Sequence, residues 1–185
     1  MKSMIGYLAL ASTTNASNPE VGVGVCSLIK SELHIESRRS CVKWITRSHA
    51  MVDRIACPWL IRKFVDSEAE FIYVPESQVL TRAKELGAIP FDSKDVELGH
   101  RGERCSFDAI MERYGLKDPA LLEMAKIVRG ADTEAKDLTP ESRGLAAFAR
   151  GFRMISSNDH DNLQKQFPMY DAIYAYCVWK TSSGK

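Results

Sequence analysis

After Val42 this chain is cut into short segments by proline and glycine, and that punctuation restricts it to brief, closely packed elements. Val42–Thr46 alternates as a strand does. Asp53–Val65 carries a helical apolar period with Pro58 near its first turn. Glu70–Val74 reads as a second strand, stopped by Pro75. Glu76–Leu86 reads as a helix closed by Gly87. Ser106 is placed to cap a helix over Phe107–Tyr114, with Gly115 beyond it. Asp118 and Pro119 open another to about Val128, which Gly130 terminates, and Pro140 opens one to about Ile155. The last helix begins near Asp159, puts Tyr170, Ile173, Tyr174 and Cys177 on one face and carries Pro168 as a kink site. The expected fold is α+β, predominantly helical with a small sheet.

Residues 1–41 follow a different rule. Ser12–Pro19 is small and polar, and Val21–Val25 has no amphipathic period, so this stretch reads as an irregular extension ahead of a regular domain over 42–180. With 25 basic and 24 acidic residues the net charge is +1, which argues against nucleic acid as a partner. Five cysteines, an odd number without a C-x-x-C pair, point to a reducing compartment. No apolar run reaches membrane-span length. Ile5–Ala11 behind Lys2 imitates a secretory signal only weakly, so a cytoplasmic location is expected, with export as the alternative.

Chemistry concentrates in Glu97–Asp108, where an imidazole, a thiol, carboxylates and guanidinium groups surround two glycines. His100, flanked by Gly99 and Gly102, is the leading candidate for a ligand or base. Cys105 and Asp108 converge if one helix includes both, or else Cys105 is core and Asp108 a cap. Cys57, read at a helix start beside Arg54, is either a thiolate nucleophile or a small buried hydrophobe. Asp53 is an N-terminal carboxylate, and Arg54 either balances it or turns inward to bind an oxyanion. In Arg129–Asp132, Arg129 suits a helix end, while Asp132 is a ligand or a cap. His160 lies between Asp159 and Asp161, as a metal-bound imidazole would, or within a polar N-cap cluster.

Asp53–Arg62, Gly99–Asp108, Val128–Asp132 and Asp159–His160, in that order, resemble the C-terminal domain family of the bacterial chromate-resistance protein ChrB. The resemblance covers residues 42–179. It implies a link to chromate resistance. Full-length members are associated with control of a chromate efflux operon through an additional N-terminal region, for which this chain has about forty residues and no recognisable DNA-reading helix.

Three functions follow as expectations. One is a metal site holding manganese, iron or zinc through His100, His160, Asp132 and Asp108, with Arg54, Arg101 or Arg129 holding a chromate- or sulfate-like oxyanion nearby. Another is a thiol enzyme using Cys57 or Cys105, with His100 as base. The third is a non-catalytic module that forms a homodimer through Phe167, Tyr170, Tyr174 and Trp179.

Overall fold

The computed structural model describes residues 41–134 and 138–183, so the extension expected over 1–41 lies, apart from Cys41, outside the described residues. The expected α+β, mostly helical class is what forms. Three short strands, β1 (Lys43–Arg47), β2 (Glu70–Val74) and β3 (Ile89–Pro90), make a parallel sheet in the order β2-β1-β3. Parallel pairing needs crossovers. α1 (Asp53–Phe64) links β1 to β2, and a 3-10 turn (Glu76–Gln78) with α2 (Val79–Leu86) links β2 to β3. β1 is central, and Trp44, Ile45 and Thr46 are all buried, so it is covered on both faces rather than half-exposed as its alternation suggests. Ile45 packs with Val79 and Ala83 of α2, while Trp44 joins the main core. That core is closed by α3 (Ser106–Arg113), α4 (Pro119–Asp132), α5 (Pro140–Ile155) and α6 (Asp159–Ser182).

Several boundaries differ from expectation, each for a local reason. α1 starts at Asp53 as expected, but Pro58, expected near its first turn, sits inside the helix, which continues through it. Proline cannot donate to the carbonyl four residues back. That carbonyl, of Arg54, instead accepts from the Tyr73 hydroxyl at 3.2 Å. α3 is capped by Cys105 rather than Ser106, in a capping box closed by Asp108. α4 runs past Gly130 to Asp132. Gly130 does not terminate it: the residue is buried where α4 meets α5, and a β-carbon there would lie 2.9 Å from Ser142 Cβ and closer still to its Oγ.

α6 fastens the segment between β1 and α1. The Asp159 carboxylate accepts from His49 N–H (3.0 Å) and Ala50 N–H (2.7 Å). Further along the same helix, Asn162 Nδ2 donates to Ala50 C=O and Tyr170 Oη to Val52 C=O, each at 3.0 Å. The aromatic face read as an interface is therefore largely committed to the core: Tyr170 is buried and Tyr174 packs on Trp59 and Phe64, leaving Trp179 exposed.

Two glycines make a paired test. Gly130→Ala has no room and should lower the unfolding free energy by about 1–3 kcal/mol. Gly144→Ala, on α5 with nothing within 4 Å of the added carbon, should raise it by about 0.5–1 kcal/mol. Urea denaturation of both variants measures the contrast.

Candidate metal centre

The carboxyl ends of β1, β2 and β3 face one cavity of about 880 Å³, lined among others by Arg47, Ser48, His49, Pro75, Glu76, Asp92, Lys94 and His100. Crevices beyond the carboxyl ends of parallel strands are where open α/β sheets bind ligands, because the loops leaving the strands converge there. The loop after β3 and two helix ends, the start of α1 and the end of α4, supply the polar groups gathered beside the cavity.

Asp53, the first residue of α1, is 1% exposed. A buried carboxylate needs hydrogen bonds, and its partners are the free N–H groups that open α3. Oδ2 accepts from Ser106 N–H at 2.6 Å and Oδ1 from Phe107 N–H at 3.2 Å. Cys57 Sγ lies 3.6 Å from Oδ1. Asp132 ends α4, and its Oδ1 accepts from Asp53 N–H at 3.3 Å. Asp92 follows β3 with φ 44°; Arg54 donates to its Oδ2 at 3.0 Å and Ser106 Oγ to its Oδ1 at 3.1 Å.

His100 meets all three carboxylates. Its Nε2 lies 3.1 Å from Asp132, 3.3 Å from Asp92 and 3.5 Å from Asp53. Asp132, then Asp53 and Asp92, push its pKa up to about 12, which favours the protonated imidazole. Burial, with Asp132 beside it, raises the Asp53 carboxyl, whereas His100 and Arg54 hold Asp92 low although burial opposes them. Asp53, His100 and Asp132 each offer a ligand atom, and these atoms lie within 4.8 Å of one another. Two carboxylate oxygens and one imidazole nitrogen converging from three separate segments suit a single divalent cation.

The structure thus brings His100 and Asp132 together and adds Asp53 and Asp92. It gives the other candidates different employment. Asp108 accepts from Cys105 N–H and binds the Arg129 guanidinium through both oxygens (3.0 and 2.9 Å), so each occupies the other. His160 packs edge-on against Tyr73, with ring centroids 5.4 Å apart, and lines a different cavity with Arg62 and Gln164. It supports the tyrosine that serves the Arg54 carbonyl. Arg54 is engaged by Asp92 and by His49 C=O, and exposed Arg101 donates to Glu97 C=O. Cys57 lies a full turn inside α1 rather than at its start, away from the free N–H groups. It and Cys105 are 0% exposed, and burial pushes both thiols up, away from thiolate.

Sequence reasoning missed Asp92 because the two-residue strand before it is too short to leave a pattern. Asp53 was noticed, but as a cap for its own helix; a carboxylate directly ahead of an apolar run was the available signal.

The site falls within a stretch with known relatives. The family model described as ChrB, C-terminal domain, matches residues 44–177, which includes Asp53, Asp92, His100 and Asp132. Protein ChrB of Cupriavidus metallidurans is 30% identical over 135 residues, 72% of this chain and 40% of the relative. The chain therefore spans about two-fifths of that relative's length. No solved structure matches it. With that family model matching most of its length, the chain belongs to the ChrB C-terminal domain family.

Proposed function

We propose that this domain binds one divalent transition metal, manganese, iron or zinc, through Asp53, His100 and Asp132. The adjoining cavity then receives a small oxyanion of the chromate or sulfate type, in keeping with the family's link to chromate resistance. The observation that carries this reading is the convergence of three ligand atoms within 4.8 Å of one another, on side chains from α1, the loop after β3 and the end of α4. Hydrogen bonds behind the ligands support it: Asp53 is fixed by Ser106 and Phe107 N–H, and Asp132 by Asp53 N–H. A bound cation would replace the His100 proton as the positive charge among the carboxylates and polarise an oxygen donor in the cavity. The thiol reading draws less support, because Cys57 and Cys105 are sealed from solvent and held protonated.

His100→Ala and Asp132→Asn should each weaken Mn²⁺ binding by more than about 100-fold, beyond the 10–100-fold typical of losing a group behind a ligand. Calorimetric titration reads this, and wild-type affinity in both variants would contradict the assignment. Metal uptake expels the His100 proton, so Mn²⁺ affinity should climb between about pH 6 and pH 9. In the metal-free chain that proton stabilises the fold. Its contribution is complete below the usual imidazole value of 6.5 and fades as pH rises toward about 12. Thermal stability of the metal-free chain should therefore decline from neutral to alkaline pH, and His100→Asn should flatten the decline. In the folded protein at about pH 8, iodoacetamide should spare Cys57 and Cys105 while exposed Cys41 reacts. Rapid modification of Cys57, located by peptide mapping, would restore the thiol route.

A further inference from the structure

His49 is the second imidazole on the cavity wall, opposite in role to His100. It follows β1 and has φ 64°, a left-handed conformation that few non-glycine residues adopt, histidine more often than most. Three contacts hold it there. Its N–H donates to Asp159, its C=O accepts from Arg54 Nη2 at 3.1 Å, and its Nδ1 meets Arg153 Nη2. A guanidinium only donates, so Nδ1 is the acceptor and carries no proton. The ring tautomer assigned from that bond has its hydrogen on Nε2. Among the described residues Nε2–H has no partner. His49 therefore offers the cavity a donor, where an unconstrained histidine would offer either a donor or a base.

Other groups on this wall have the same sense. Ser48 and Lys94 also line the cavity, and Ser48 Oγ and Lys94 Nζ have no partner among the described residues. Of the carboxylates there, Glu76 is taken by Ser93 Oγ (2.6 Å) and Lys94 N–H (2.9 Å), and Asp92 by Arg54. Asp95 is exposed, as His49 and Lys94 are, and is the carboxylate on this wall with no partner among the described residues. Arg47 is drawn to Glu76 and Asp92. The unengaged groups next to the carboxylate-rich metal site are thus mostly donors, and a donor set of this kind matches the oxygens of an anion.

We propose that His49 is a specificity residue of this site: its Nε2–H, fixed by Arg153 and by the left-handed backbone, hydrogen-bonds an oxygen of the anionic ligand, and Lys94 supplies the charge. This rests on the metal-site reading and adds a residue to it that touches the ligand and not the metal.

The test uses the full chain loaded with Mn²⁺ and sulfate as the probe, since sulfate does not oxidise thiols. His49→Gly suits a φ of 64°, so it removes the ring without opposing the backbone. Calorimetry should find Mn²⁺ affinity unchanged in His49→Gly and in Lys94→Ala. Sulfate affinity should fall roughly 10-fold or more in each, the size expected for losing a hydrogen bond to a charged group. Sulfate binding at wild-type strength by His49→Gly overturns the role of His49 and leaves the metal site standing. Failure of the Mn²⁺-loaded wild type to bind sulfate overturns the role of His49 together with the oxyanion part of the proposed function, and leaves the metal site standing. Absence of Mn²⁺ uptake by the wild type overturns both readings.

Discussion

One buried carboxylate organises this domain. Asp53 opens α1, yet the N–H groups it satisfies are those of Ser106 and Phe107 at the start of α3. It joins two helices that are far apart in sequence through charge-assisted hydrogen bonds, in a setting where an unpaired charge would be prohibitive. The same residue is tied through its N–H to Asp132 at the end of α4. Three helix ends therefore meet at one point, and the loop that carries His100 closes over it. The contacts that hold the helices together are the same ones that gather the candidate ligands Asp53 and Asp132.

The sheet explains why that point is open on one side. Parallel strands release their loops at a common edge, so the segments after β1, β2 and β3 border one cavity. α6 then fixes the segment after β1 through Asp159, Asn162 and Tyr170. The result is a base of carboxylates with donors along the wall, the arrangement on which the proposed cation and anion sites rest. Function in this reading comes from how loops are anchored. It does not come from an activated thiol, which the burial of Cys57 and Cys105 opposes.

Much of the fold was legible because its signals are local. Gly87 at φ 61°, Pro119 after Asp118 and Pro140 after Thr139 mark helix ends by their own backbone chemistry. Gly130 carries the same sign for a different reason, a close approach of Ser142 from another helix, which sequence cannot display. The site divides in the same way. His100 and Asp132 stand out as reactive groups in loops or at helix ends. Asp108 and His160 look equally reactive, yet Arg129 and Tyr73 claim them, and those partners lie 21 and 87 residues away. Asp92 follows a two-residue strand with no periodicity to announce it. The tautomer of His49 depends on Arg153, 104 residues on. Partner choice at such separations is a property of the packed chain.

The most direct test is an anomalous diffraction map from crystals of the chain soaked in Mn²⁺. The account predicts one strong peak within ligand distance of Asp53, His100 and Asp132, and its loss in His100→Ala crystals. A peak at His160, or at Asp108 beside Arg129, with none at the Asp53 cluster would contradict it.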